Sequence, residues 1–245
     1  MDVDVSFQVS TGKPSVLIRF SDFSWAAYQY QQFGTVTWSM IIVSMFHLIY
    51  VLDFFYNEDW YTRTIDISHD HFGFMLAWGD TTFLPCLYTL QVQYLARYPT
   101  YLTRTQSIAL LVFGLTGYAI FRSANFQRDY VRARDGKCEL WGKPVEFIRC
   151  KYTTSDGKEH QSLLLTSGWW GVSRHANYMG DLMLTWAMCA TCGFTHFLPW
   201  SYFFFMCVLL YHRSLRDEKR CRSKYGKHWE EYCRQVPYGI IPGII

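Results

Sequence analysis

Residues 36–54, VTWSMIIVSMFHLIYVLDF, carry no charge before Asp53 and approach the ~20 residues that a helix needs to cross a bilayer. This is the clearest span in the chain. Around it lie 245 residues, half of them apolar and 19% aromatic, enough for one substantial domain. The mean hydropathy of -0.03 fits a soluble protein, yet that average hides apolar runs separated by charged stretches. The expectation is an all-α, multi-pass helical membrane protein. Asp2 and Asp4 stand where a secretory peptide carries basic residues, so insertion is expected from internal spans. The eight cysteines lie in apolar runs or among basic residues and are read as reduced.

Working outward, residues 107–121 (SIALLVFGLTGYAIF) form a second, shorter span whose uncharged flanks extend it. Residues 182–211 are apolar but broken by Gly193, Thr195, His196 and Pro199, which predicts a bent helix or a tight helical hairpin. Residues 74–97 contain Asp80 and Pro85. A charge at membrane depth faces protein or a water-filled cavity, so this stretch is read as a lining helix. The stretches 55–73 and 123–162 are polar. The second carries turn signals at Asp135-Gly136 and Ser155-Asp156-Gly157 and reads as an exposed loop or a small hairpin.

Net charge is only +3, with the basic residues gathered in 122–137 and 213–234. By the positive-inside rule, the loop after 121 and the tail after 211 belong on the cytosolic side. Such blocks suit anionic lipid, nucleic acid or a phosphorylated cofactor.

The densest constellation is SGWWGVSRHANYMGDL from Ser167, followed after the apolar run by HRSLRDEKRCRSKYGKHWEEYCRQVPYGIIPGII from His212. Arg forks match phosphate oxygens and aromatic faces stack on planar rings, so these residues have the chemistry to hold a nucleotide. The plainer reading is that the basic residues anchor helix ends at lipid headgroups.

The order and spacing of these motifs resemble the C-terminal signature of the sterol C14/C7 reductase family, nearer its 7-reductase branch. Two upstream stretches agree: DFFYNEDWYTRTIDISHDHFGFMLAWGDTTFLPCLYTLQ at 53–91 and FRSANFQRDYVR at 121–132. The resemblance implies NADPH-dependent reduction of a sterol ring double bond, the 7,8 bond of 7-dehydrocholesterol, in the endoplasmic reticulum membrane. It implies a single membrane domain with sterol-side helices in 36–122 and an NADPH-binding half in 123–245, its cofactor pocket facing the cytosol. The N-terminal half of the family's full pattern is expected to be missing.

Carried over position by position, the cofactor contacts are Arg128, Arg132, Leu165, Trp170, Asn177, Tyr178, Asp217, Cys221, Ser223, Lys224, Tyr225 and Tyr232. At 128 the family commonly has Lys, and Arg keeps the charge while changing the phosphate geometry. A ring alkene accepts hydride only once protonated, and the family's acids correspond to Asp217 and Tyr50. Asp217 acts as an acid only where burial outweighs Arg216 and Arg220, and its alternative is an ion pair with one of them. Glu58, Asp66, His69 and Asp80 are expected on the sterol side. The implied partners are a sterol and membrane lipid, with no nucleic acid and any partner subunit left open.

Two other function classes compete. Isoprenylcysteine carboxyl methyltransferases, which use S-adenosylmethionine, share an RH-x-x-Y-x-G motif, but the Trp169-Trp170 pair and the LRDE-x-x-C-x-x-KYG run favour the reductase. A non-catalytic, lamin-B-receptor-like scaffold is the third class. Asp66, His69, Asp70 and His71 have spacing that fits a metal, yet no second ligand cluster accompanies them, and no metal is expected. Cys189 and Cys192 have redox spacing without the surrounding fold and are read as packing residues, and His47 and His196 as hydrogen-bonded core histidines.

Overall fold

The computed structural model describes residues 20–61, 78–153, 157 and 159–244, apart from the side chains of 59, 61, 80 and 81. Asp66, His69, Asp70 and His71 lie outside the described residues, as does the side chain of Asp80. The chain divides into two compact units. One draws on residues up to Gly114 and on Thr185–Phe204, the other on Leu115–Leu184 and Phe205–Ile245.

In the first unit, α1 occupies residues 20–33 and α2 Trp38–Tyr56. The Thr37 hydroxyl accepts from the Met40 N–H at 3.4 Å and caps α2. Neither Gly nor Pro interrupts the apolar run that follows, so the helix matches the span read from 36–54 almost residue for residue. It buries Met40, Val43 and Phe46 and leaves Ile41, Leu52 and Phe55 exposed. Gln29 on α1 is fully buried, and a buried amide must find partners. It donates to the Leu95 carbonyl at 2.6 Å and accepts from the Thr37 N–H at 2.8 Å, which ties α1 to the start of α2 and to α4 (Leu90–Arg97). A short helix, α3, spans Glu58–Tyr61.

Of the stretch 74–97, the described residues are helical but irregular. Gly79–Tyr88 winds as a π-helix around Pro85, whose ring and missing N–H exclude a regular α turn. The Pro85 carbonyl accepts from the Thr89 hydroxyl at 2.7 Å and the Gln93 amide at 3.2 Å.

Helix α5 runs Arg104–Ala133 and contains the expected span 107–121. Residues 123–133, read from their polarity as the start of a loop, continue the helix instead. After Gly117 this stretch has neither Gly nor Pro, so polarity changes the helix's surroundings without unwinding it. Helices α2 and α5 are long and apolar enough to cross a membrane.

In the second unit, the α5 portion meets α6 (Trp169–Val172), α7 (Ala176–Ala190), α8 (Ser201–Tyr225) and α9 (Lys227–Gln235). Helices α5, α7 and α8 contribute to both units. Gly117 of α5 and Gly180 of α7 cross backbone to backbone. A β-carbon at Gly180 would lie 2.5 Å from the Gly117 carbonyl oxygen and from the Phe121 nitrogen. The break expected within 182–211 falls between α7 and α8. Gly193 adopts φ 74° there, and the Trp200 indole closes the turn by donating to the Gly193 carbonyl at 2.8 Å.

The all-α expectation is incomplete. β1 (Glu139–Leu140) pairs with β2 (Lys143–Pro144), and β3 (Phe147–Thr153) pairs antiparallel with β4 (Glu159–Leu165). Of the two readings of 123–162, the hairpin holds from 139 onward. Alternation gives it two buried faces. Ile148, Cys150 and Leu164 pack with Trp229, Tyr232 and Val236 from α9 and its exit, while Phe147, Leu163 and Leu165 pack with Val131 of α5.

Candidate functional site

The second unit holds all twelve residues expected to touch a cofactor, and the end of α5 is their organising element. Arg128 and Arg132 are one helical turn apart. The Arg128 guanidinium lies 5.3 Å from the centre of the Trp170 ring and 3.5 Å from the Asp129 carboxylate. Trp170 is fixed from three sides: its indole N–H donates to the Ala124 carbonyl at 2.7 Å, its ring packs on Leu165, and its own carbonyl accepts from the Tyr232 hydroxyl at 3.2 Å. Burial pushes the Tyr232 phenol upward, so it remains a neutral donor. Arg132 is exposed, within electrostatic range of Tyr232 and Cys221.

On α7, Asn177 is buried and donates from Nδ2 to the Asn125 Oδ1 at 3.3 Å. Its own Oδ1 is buried with no hydrogen-bond partner among the described residues. An orphaned buried acceptor is costly, and it marks a position where an incoming N–H or O–H is favoured. The next residue, Tyr178, stacks nearly parallel on His175, with 4.8 Å between ring centres and 5° between planes, and Arg213 lies 6.0 Å from the Tyr178 ring.

Burial holds the His175 pKa down to about 4 against the opposing charge of Asp217, so its imidazole is neutral near pH 7. An unfolded histidine titrates near 6.5, so the folded chain binds less proton between about 4 and 6.5. The stability from burying this ring neutral is therefore complete above pH 6.5 and is lost as pH falls towards 4. Lowering the pH from 7 to 5 should cost about 2 kcal/mol through this group. The measurement is unfolding in detergent across pH for the wild type and His175→Gln, and superimposable pH profiles would refute the assignment.

On α8, the Asp217 carboxylate pairs with Arg220 at 2.9 Å and accepts a weak thiol contact from Cys221 at 3.9 Å. Burial, reinforced by Asp217, pushes the Cys221 thiol up to about 12, which makes it a neutral packing group rather than a nucleophile. Ser223 is exposed. Lys224 lies 3.8 Å from the centre of the Tyr152 ring, and the Tyr225 hydroxyl donates to Ser162 Oγ at 3.5 Å. The structure thus groups Arg128, Leu165, Trp170 and Tyr232, with Asn125 also on α5 and bonded to Asn177 of α7. It sets Lys224 and Tyr225 against the β3–β4 hairpin.

Arg174 is the structural keystone of this unit. Its guanidinium donates to the Val236 and Pro237 carbonyls, each at 2.8 Å, and pairs with Glu218 at 3.3 Å. The backbone N–H groups of Arg174 and His175 donate to the Tyr238 and Gly239 carbonyls. Sequence reading missed Asn125 and Gln127. Gln127 Oε1 accepts from the Trp169 N–H at 2.9 Å. Both lie within FRSANFQRDYVR, where helical spacing of the polar residues at 125, 128 and 132 was the available signal for Asn125.

The remaining expected residues belong to the first unit. Tyr50 on α2 has its ring centre 6.1 Å from that of Tyr88, and Glu58 is exposed on α3. The described residues contain no cluster of three His, Cys, Asp or Glu side chains suited to a metal. All eight cysteines are free, and Cys189 and Cys192 are buried.

Comparison with known proteins agrees with the motifs. The family described as "Ergosterol biosynthesis ERG4/ERG24 family" matches residues 2–245. The 7-dehydrocholesterol reductase of Xenopus laevis is 51% identical over 234 residues, which is 95% of this chain and 50% of that protein. Its namesake in Danio rerio is 49% identical over 95% of this chain and 49% of its own length. A Delta(14)-sterol reductase of Methylotuvimicrobium alcaliphilum is 43% identical over 91% of this chain and 50% of its own length. The chain spans about half the length of these curated relatives.

Proposed function

The chain belongs to the ergosterol biosynthesis ERG4/ERG24 family, and from that premise we propose that it serves NADPH-dependent reduction of a sterol ring double bond, the 7,8 bond, as a multi-pass protein of the endoplasmic reticulum membrane. The observation that carries this reading is the 51% identity, along 95% of the chain, to a protein named 7-dehydrocholesterol reductase. The FFYNE and IDISHDHFG stretches and the PGII ending support the 7-reductase branch. The family match along 2–245 favours the reductase over the methyltransferase. Exposed apolar side chains such as Ile41, Leu52, Ile108 and Val208 on the long helices suit contact with lipid.

The residues present fit the proposed cofactor. Arg128, Arg132 and Lys224 supply cations for phosphates, with Ser223 and Tyr225 beside Lys224. The orphaned Asn177 oxygen suits a carboxamide N–H, and Trp170, Tyr178 and Tyr232 offer ring faces or phenols. Leu165 and Cys221 supply the apolar floor. When bound, a reduced nicotinamide supplies a hydride. The protein's part is to deliver the proton to one alkene carbon so that the other becomes electrophilic, and Asp217 and Tyr50 are the proposed donors. Glu58, Asp66, His69 and Asp80 are the proposed polar groups on the sterol side.

Arg132→Ala should weaken NADPH binding about tenfold, and Tyr178→Phe about threefold, as expected for one charged and one neutral hydrogen bond. The purified chain in detergent, titrated with NADPH, reports both. Wild-type affinity in both variants would remove these residues from the cofactor site.

A further inference from the structure

Helices α1 and α2 carry buried polar groups that this function leaves unused. Asp22 of α1 and His47 of α2 form a buried pair, with His47 Nδ1 2.9 Å from Asp22 Oδ2. The imidazole lies against Tyr88, 4.5 Å between ring centres, which fixes its plane. A carboxylate accepts through both oxygens, yet Asp22 Oδ1 is buried with no hydrogen-bond partner among the described residues, and so is Ser44 Oγ. Both residues line one cavity of about 280 Å³, walled otherwise by apolar side chains including Phe23, Met40, Ile41 and Leu48.

An apolar chamber that leaves a carboxylate oxygen and a hydroxyl unsatisfied discriminates among ligands. A cation would need more oxygen or nitrogen donors than the walls provide, and a polar metabolite would lose its hydration against Phe23 and Leu48. Water needs two to four polar partners and finds few here. A ligand that is apolar over nearly all its surface and donates one O–H satisfies both conditions. We propose that this chamber seats the hydroxyl-bearing end of a sterol, with Asp22 Oδ1 accepting the sterol O–H and His47 positioning the carboxylate. A volume of about 280 Å³ lies at the lower end of ligand cavities, which suits one end of the ring system rather than the whole molecule. This assignment rests on the sterol reading above and adds which residues recognise the alcohol.

The test compares tritiated 7-dehydrocholesterol with its methyl ether, which cannot donate a hydrogen bond, on the purified 245-residue chain in detergent. The wild type should bind the alcohol about tenfold more tightly, as expected for a hydrogen bond to a charged acceptor. Asp22→Asn should shrink that preference to about twofold, and Ser44→Ala should reduce it partway. Equal binding of alcohol and ether by the wild type overturns the proposal while leaving the sterol reading intact. So does an undiminished preference in a monodisperse Asp22→Asn chain. Should Asp22→Asn not fold, the wild-type ratio and Ser44→Ala decide. If the wild type binds neither ligand, the sterol reading falls, and this proposal with it.

Discussion

Gly180→Val should prevent the second unit from folding stably. The α5–α7 crossing is a contact of two backbones, and the space that a β-carbon at 180 would need is occupied by the Gly117 carbonyl oxygen and the Phe121 nitrogen, each 2.5 Å away. These are main-chain atoms of a continuous helix, so they cannot swing aside as a long side chain does. Gly117 is as tight, with the Gly180 carbonyl oxygen and the Met183 β-carbon both 2.7 Å from its missing side chain. Small residues at a helix crossing allow this close approach, and overpacking it costs about 3 kcal/mol or more. Gly79→Ala is the matched control, because nothing among the described residues lies within 4 Å of a β-carbon there. Unfolding in detergent should separate the two variants clearly. Wild-type stability in Gly180→Val would show that the helices do not cross this closely.

Arg174→Ala should detach the segment 236–239 and lose cofactor affinity with it. Only 12% of the Arg174 side chain is exposed, and its fork serves two backbone carbonyls and Glu218 at once. Truncation would take the donor from both carbonyls and one of the two arginine partners from Glu218, at a cost on the order of 4 kcal/mol for three charge-assisted hydrogen bonds. Arg174→Lys should rescue only a small part, because a point charge cannot serve both carbonyls and the carboxylate. Hydrogen exchange at the Arg174 and His175 amides, which donate to Tyr238 and Gly239, reads the detachment directly. Undiminished protection in Arg174→Ala would show that the segment is held by other contacts.

What the sequence revealed follows the strength of its local signals. The span at 36–54 is legible because an unbroken apolar run with a Thr cap admits only one regular structure. The break within 182–211 is legible because Gly193 and Pro199 mark it. Where polarity and winding disagree, the reading goes astray. Residues 123–133 are polar and helical, since burial against Trp170 and Asn177 depends on the tertiary partner and not on local hydropathy. Pro85 correctly signals an irregularity, but that it takes the form of a π turn is not readable from its position alone.

Motif order proposed twelve residues, which the fold holds in one unit, without showing how they meet. The orphaned Asn177 oxygen and the stacking of Tyr178 on His175 are products of packing and leave no trace in spacing. His47 was read as a hydrogen-bonded core residue, which it is. Its partner is Asp22, 25 positions away, a pairing that only the fold brings about.

The most direct test is sterol profiling in cells that lack 7-reductase activity and express this 245-residue chain, with Asp217→Asn as the control. The expected result is conversion of 7-dehydrocholesterol to cholesterol by the wild type and its loss, by about a hundredfold or more, in Asp217→Asn. Unchanged 7-dehydrocholesterol in cells where the wild-type chain is stably inserted and binds NADPH would contradict sterol reduction by this chain.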